Sequence, residues 1–216
     1  MLEVRNLSAW WGSAQVLFDV SLRVAPGELV VLQGLNGAGK SSLMQALMGL
    51  GPRVQGQVRY QGKAVEGEPT HVRARAGLGF VPEQRRLFLE LTVLENLMLA
   101  ARAPRQQRLQ EVLALFAPLR GALNRQAAQL SGGEQQMLAL ARTLMTGPSM
   151  LLLDEPCEGI APLLIQTIRD TLLQLKRKGM PMLVAEQNEL LAAHADRLIT
   201  LSAGIVLDPH PSPDRP

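Results

Sequence analysis

Short apolar runs separated by polar, glycine-containing segments recur along the chain, a pattern typical of strands that alternate with helices. An unbroken apolar run of four or five residues predicts a strand that is covered on both faces, as in a parallel sheet. The runs of this kind lie at residues 29–32, 78–81, 150–153 and 182–185. The sequence therefore predicts an α/β fold with a central parallel sheet.

Two further β-prone runs, at residues 2–7 and 16–24, precede the first of these strands. The second run largely alternates between apolar and polar positions, and Pro26-Gly27 predicts a turn after it. We therefore expect an antiparallel sheet near the N-terminus. Additional strands are predicted at 54–60 and in a closing hairpin of residues 197–201 and 205–207.

Residues 88–148 show only helical periodicity, whereas their flanks alternate strand and helix. Thr92 and Glu95 have the spacing of a capping box, which predicts the start of a helix. We expect a helical subdomain, at about 88–148, inserted into a single domain of residues 1–207. The segment 208–216 is rich in proline, and we expect it to be disordered.

Composition narrows the class of protein. The 216 residues carry 22 Lys and Arg against 19 Asp and Glu, and the positive charges are scattered, so nothing supports nucleic-acid binding. No apolar span of about 18 residues and no basic-then-apolar leader is present, so we expect a cytoplasmic chain. Cys157 is the only cysteine, which excludes an intramolecular disulfide.

The segment between the strand 29–32 and the helical pattern that starts at Leu43 has the spacing G-x-x-x-x-G-K-S. Backbone N–H groups of such a loop wrap a polyphosphate, and the helix N-terminus adds partial positive charge. Lys40 can neutralise phosphate oxygens, Ser41 can bind Mg²⁺, and the glycines allow positive φ and close backbone approach. The candidate nucleotide-binding residues here are Gly34, Leu35, Asn36, Gly37, Ala38, Gly39, Lys40, Ser41 and Ser42.

Asp154 and Glu155 follow directly after the apolar run 150–153. Because α/β sheets place ligand contacts at the carboxyl ends of their strands, we expect both carboxylates beside the phosphate loop. Asp154 can hold Mg²⁺ through water, and Glu155 can polarise an attacking water molecule. The alternative is a pair of solvated loop acids after a core strand.

A third informative segment, Ser131-Gly132-Gly133-Glu134, precedes a helical pattern. A capping box explains Ser131 and Glu134 but not the two glycines, which are unfavourable in a helix. A second anion-binding helix terminus would explain them. The residues alone leave these two interpretations evenly balanced.

Trp11, Glu83 and Gln84 are further candidate nucleotide contacts because of where they lie in the chain. Trp11 is either a hydrophobic anchor at a strand end or an aromatic face on which adenine stacks, and we favour stacking. Glu83 and Gln84 follow the strand 78–81 in the polar cluster 83–86, where either a ligand contact or an ordinary solvated loop is compatible with the sequence.

With these stretches in order, residues 1–207 resemble the ATP-binding-cassette ATPases. The resemblance implies a P-loop NTPase (RecA-like) core with an N-terminal antiparallel β subdomain and an inserted helical subdomain. It also implies that ATP and Mg²⁺ are bound and that two cassettes, identical or different, dimerise head to tail. In such a dimer Ser131, Gly132, Gly133 and Glu134 contact the ATP of the partner subunit.

Departures from the common family pattern narrow the resemblance. Glu83 stands where most cassettes have glutamine, with Gln84 next, so the nucleotide sensor is one of these two. Ala161 replaces the usual aspartate, and Gln187 replaces the switch histidine and becomes a candidate catalytic residue. The combination looks like the second ATPase of branched-chain amino-acid importers, whose relatives handle urea, amides or other amino acids.

This resemblance implies permease subunits in the membrane and, indirectly, a periplasmic solute-binding protein. The expected location is the cytoplasmic face of the bacterial inner membrane, with the chain bound peripherally. A non-transport cassette ATPase would usually need a long coiled coil or two cassettes in one chain, and neither is present. A non-hydrolysing nucleotide-sensing adaptor would have no use for Glu155.

Overall fold

The structure, a computed structural model, describes residues 1–187 and 189–207. The predicted disordered tail, 208–216, lies outside the described residues, as does Asn188. None of the helices in the described part of the chain is long and apolar enough to cross a membrane.

Two sheets organise the chain. The antiparallel sheet has the order β2-β1-β4-β5, in which β1 is Leu2–Trp11, β2 is Ala14–Val24, β4 is Arg53–Tyr60 and β5 is Lys63–Ala64. This is the predicted N-terminal sheet, joined by the strand that was expected at 54–60.

The second sheet has the order β10-β9-β3-β8-β7-β6 and is parallel except for its terminal hairpin. Its strands are β3 (Leu29–Gln33), β6 (Leu78–Val81), β7 (Met150–Asp154), β8 (Met182–Ala185), β9 (Arg197–Ser202) and β10 (Ile205–Val206). Since β3, β8 and β7 are parallel neighbours, their carboxyl ends meet at one edge of the sheet. The predicted α/β fold is confirmed.

Helices connect and cover the strands. The helix α1 (Lys40–Met48) follows β3, α2 (Thr70–Arg75) precedes β6, α7 (Pro162–Arg177) lies between β7 and β8, and α8 (Glu189–Ala192) follows β8. Between β6 and β7 the chain forms α3 (Val93–Ala100), α4 (Arg105–Leu115), α5 (Ala117–Arg120), a 3₁₀ turn at Ala127–Gln129 and α6 (Gly132–Met145). The predicted capping box of Thr92 and Glu95 starts α3.

The core explains why the runs 29–32, 150–153 and 182–185 in β3, β7 and β8 are apolar at every position. Successive side chains of a strand point to opposite faces, so Val31 and Leu153 pack with α3–α7 while Val30 and Leu152 pack with α1 and the antiparallel sheet. Because α6 shares the first of these cores with the sheet, a separate helical subdomain at about 88–148 stays a prediction.

Candidate functional site

The phosphate loop connects β3 to α1, and two of its glycines adopt left-handed backbone conformations. Gly37 has φ +81 and Gly39 has φ +104, values that side chains disfavour. Gly34 lacks a positive φ; there a Cβ would lie 2.3 Å from the carbonyl oxygen of Leu201. Gly34 is therefore needed for close approach to β9, whereas the other two allow the turn.

Lys40, the first residue of α1, is 4% exposed and lies between the loop and β7. Its Nζ donates to the carbonyl oxygens of Gly34 (2.9 Å) and Leu35 (3.3 Å). The same atom is 2.9 Å from Oε1 of Glu155. A buried ammonium group thus faces both the loop and Glu155, the residue that follows β7.

Asp154 ends β7, and its Oδ1 accepts a hydrogen bond of 3.0 Å from the hydroxyl of Ser41. Burial raises the pKa of Asp154 to about 6, although the Ser41 hydrogen bond opposes the shift. A hydroxyl and a carboxylate side by side form the oxygen donor set that Mg²⁺ prefers. The two residues predicted to hold the metal therefore fit it.

Glu155 has φ +47, which turns its side chain toward the loop instead of continuing the strand. Burial raises its pKa, but hydrogen bonds with Lys40, Glu158 and Gln187, together with the charge of Lys40, outweigh burial and leave the pKa lowered. The pKa of Glu158 is raised, chiefly by its hydrogen bond to Glu155. Glu155 is thus kept ionised, as a group that orients or deprotonates water must be.

Gln187 follows β8, and its side-chain amide joins the phosphate loop to Glu155. Nε2 donates to Oδ1 of Asn36 and lies 3.3 Å from both carboxylate oxygens of Glu155. These bonds place the amide between the phosphate loop and Glu155. Its catalytic role stays a prediction.

A cavity of about 540 Å³ lies over this arrangement. Its lining consists of Gln15, Val16, Phe18, Asn36, Gly37, Gly39, Lys40, Ser41, Ser42, Glu83, Glu155, Glu158 and Ala203. Sequence reasoning missed the side wall from β2 and missed Glu158. The signal for β2 was weak, because an alternating strand shows which residues point outward but not which cavity they reach.

The candidate adenine contact lies beside this cavity. Trp11 is 42% exposed, donates from Nε1 to the hydroxyl of Ser42 (3.2 Å), and packs its ring over Gly51, where a Cβ would lie 2.1 Å from the ring. Phe18, not Trp11, is among the lining residues. Adenine stacking on Trp11 stays a prediction.

Glu83 and Gln84 differ in which cavities their side chains line. Glu83 lines the 540 Å³ cavity, whereas both residues line a neighbouring cavity of about 270 Å³ with Arg85 and Arg86. The geometry thus favours Glu83 as the nucleotide sensor, although both remain candidates.

The signature segment starts α6. Ser131 accepts a hydrogen bond from the Glu134 backbone N–H (3.3 Å), and the Glu134 carboxylate accepts one from the Ser131 N–H (2.8 Å), which completes a capping box. That N–H lowers the pKa of Glu134. Gly133 also has a packing role, because a Cβ there would lie 2.2 Å from Leu164 of α7. Among the described residues that line the 540 Å³ cavity, none belongs to the signature segment 131–134.

Comparisons with known proteins agree with this geometry. The family model "ABC transporter" matches residues 17–158. The chain is 42% identical to the high-affinity branched-chain amino acid transport ATP-binding protein BraG of Pseudomonas aeruginosa, over 96% of this chain and 91% of BraG. It is 34% identical to the glutamate/aspartate import ATP-binding protein GltL of Escherichia coli, over 98% of this chain and 91% of GltL.

A solved structure shares the fold. The dimeric structure of MJ0796, a bacterial ABC transporter cassette, superposes with a TM-score of 0.86 at 26% identity, covering 96% of this chain and 97% of that one. The chain therefore belongs to the ABC transporter family. Within that family it is the nucleotide-binding ATPase subunit, whose ATP hydrolysis is coupled to transport.

Proposed function

We propose that this ATPase uses Mg-ATP, held in the 540 Å³ cavity, to power the import of branched-chain or related amino acids. The observation that carries the proposal is the arrangement in which Lys40, Glu155 and Gln187 meet beside the Ser41–Asp154 pair. A non-hydrolysing adaptor would not need Glu155 held in an ionised form beside a phosphate-binding lysine.

The catalytic roles follow from charge and position. Lys40 lies at the base of the loop and neutralises ground-state phosphate charge. Glu155 accepts a proton from, or orients, the attacking water, and Gln187 donates a hydrogen bond to the γ-phosphate or to Glu155. These roles differ in when they act, so their removal should affect different steps.

Ser41 and Asp154 would hold Mg²⁺, Asp154 through water. When bound, the metal supplies positive charge to the phosphate oxygens. The contribution of the chain is to keep the hydroxyl and the carboxylate together, 3.0 Å apart, at the end of a fully buried strand.

The signature segment would serve a second subunit, identical to this chain or related to it. Ser131 is exposed at the N-terminus of α6, and the partial positive charge of that terminus suits an anionic phosphate. A head-to-tail dimer would bring this terminus to the ATP of the partner. The dimeric assembly of MJ0796 supports that arrangement.

A groove of about 310 Å³ beside the loop after β6 is the surface we assign to the permease. Its lining includes the apolar side chains of Leu78 and Phe80 together with Arg86, Arg102 and Arg142. Apolar side chains and three arginines in one groove suit a short permease segment that presents apolar and acidic side chains. The chain would then work at the cytoplasmic face of the inner membrane, and the solute-binding protein would act on the permease from the other side.

The amino-acid substrate rests on similarity to BraG, and GltL supports amino-acid import more broadly. The test is solute uptake by cells that lack this chain, measured with labelled leucine, isoleucine, valine, glutamate and urea. Selective loss of branched-chain uptake supports the proposal. Loss of urea or glutamate uptake alone would assign a related importer, and Mg-dependent phosphate release that stays at zero with the permease present would contradict hydrolysis itself.

A further inference from the structure

The loop after β6 connects the phosphate cavity to the signature helix. Glu83 lines the cavity, and two residues later the side chain of Arg85 reaches the first turn of α6. Its Nη1 lies 3.3 Å from the position that a Cβ on Gly132 would occupy. A single side chain therefore spans from the nucleotide-facing loop to the residue that follows Ser131.

Hydrogen bonds join the two elements in both directions. Arg85 donates from Nε to Oε1 of Gln136 (3.1 Å) and from Nη1 to Oε1 of Gln135 (3.4 Å). In return, Arg142 of α6 donates from Nη2 to the carbonyl oxygens of Arg85 (3.3 Å) and Arg86 (2.7 Å). The loop and α6 are consequently held together at both the side chain and the backbone of Arg85.

Arg85 makes these contacts with α6 although its backbone conformation is unfavourable. Arg85 and Arg86 are consecutive non-glycine residues with φ +60 and +48, in the left-handed region. Gln136 is 2% exposed, and within the described residues its Nε2 has no hydrogen-bond partner. Because the Arg85 guanidinium has only donors, the amide cannot turn over without placing its NH₂ group against that guanidinium. Arg85 therefore fixes the orientation of Gln136 and leaves a buried donor unpaired.

We infer that Arg85 is a positioning residue that links the nucleotide bound by this chain to the signature helix offered to the ATP of the partner. The inference rests on the proposed function. Arg85 acts through Gln135 and Gln136 of α6, and it is not among the residues that line the 540 Å³ cavity. When nucleotide changes the position of the loop at Glu83, the Arg85 contact moves the N-terminus of α6 with it.

Amide hydrogen exchange of the full chain tests the link directly. Mg-ADP is added at a protein concentration at which light scattering shows a monomer, so only the chain's own loop holds nucleotide. In the wild type, exchange should slow at residues 34–42 and change at 131–136. Arg85→Ala should keep the response at residues 34–42 and lose the response at 131–136.

The control Arg105→Ala, at an exposed arginine of α4, should match the wild type. A full response at 131–136 in Arg85→Ala overturns the inference.

Turnover gives a second readout that a merely structural role would not separate. Arg85→Ala should lower kcat on the order of 10-fold while KM for ATP stays within about 2-fold, the size of a typical coupling between sites. Gln136→Leu removes both the acceptor and the unpaired donor, so it should reproduce the loss without unfolding the chain. The double variant should be no slower than either single one, because both break one contact. Wild-type turnover in Gln136→Leu contradicts the inference.

The two proposals fail differently. If Mg-ADP leaves exchange at residues 34–42 unchanged even in the wild type, nucleotide binding and this inference are both wrong. If residues 34–42 respond but residues 131–136 do not, the proposed function stands and the positioning role of Arg85 is rejected.

Discussion

At the scale of single residues, the site divides the work on phosphate between Lys40 and Glu155, whose side chains lie 2.9 Å apart. Glu155→Gln should keep ATP binding and stall hydrolysis, because the carboxylate acts on water in the transition state. Lys40→Ala should weaken binding itself, because the ammonium meets ground-state charge. Nucleotide titration and single-turnover rates measure the two effects. Near-normal turnover in Glu155→Gln would remove that residue from the catalytic set.

A second prediction at this scale concerns Gln187. Its amide cannot gain a proton, so turnover should show no inflection from this position across about pH 6 to 8, where histidine titrates. Gln187→Ala should slow hydrolysis about 10²-fold by removing one preorganised donor. Gln187→His should add an inflection near the imidazole pKa. If both variants retain the wild-type rate and pH profile, the amide bonds to Asn36 and Glu155 are structural only.

At the scale of elements, α1 depends on an arginine from α2. The side chain of Arg73 is 2% exposed and donates to four backbone carbonyl oxygens at 2.8–3.0 Å, those of Ala46, Leu47, Glu66 and Glu68. Two of these carbonyls belong to the last turn of α1, where backbone donors run short. That of Ala46 also accepts a hydrogen bond from the Gly49 N–H (3.0 Å). Arg73 thus caps the C-terminus of α1, the helix whose N-terminus follows the phosphate loop.

Arg73→Lys should therefore lower the free energy of unfolding by about 2–3 kcal/mol, because an ammonium cannot reach four acceptors and leaves buried carbonyls unpaired. The urea midpoint measures the change. Arg75→Lys is the matched control, since Arg75 is exposed on the same short helix, and it should leave the midpoint unaltered. Equal midpoints for the two variants would show that the four hydrogen bonds contribute little.

The same elements show how far the sequence alone leads. Strands β3, β7 and β8 were predictable because strands buried on both faces contain continuous apolar runs. The phosphate loop, Asp154, Glu155 and Gln187 lie at or just after the carboxyl ends of these strands. The burial of Arg73 was not predictable from the sequence. Arg73 and Arg75 lie two residues apart in one helix, yet only the tertiary position of the α1 C-terminus decides which is buried. Glu158 and the β2 wall were missed for the same reason.

At the scale of the whole molecule, the signature and the phosphate loop should work in different subunits. Ser131→Arg should abolish turnover but leave nucleotide affinity of the monomer intact, and a mixed dimer with Lys40→Ala should keep at most one composite site. Thr92→Arg is the control for the lost cap, because Thr92 closes an equivalent capping box on α3. A fall in monomer affinity as large as that of Lys40→Ala would contradict a site shared between subunits.

The last prediction concerns the face that meets the permease. Arg86 lines the 310 Å³ groove and Leu89, 49% exposed, lies close by in the chain, so both positions should come within crosslinking distance of a cytoplasmic permease loop. Because the single native thiol, Cys157, is 5% exposed, introduced cysteines can be labelled selectively. Arg86→Cys and Leu89→Cys should each crosslink to the permease in assembled membranes, and Leu198→Cys, exposed on β9, should not. Crosslinks from Arg86→Cys and Leu89→Cys only to a second copy of this chain would make that face a contact between ATPase subunits. The three arginines that line the groove would then need acidic partners on a cassette instead of on a permease.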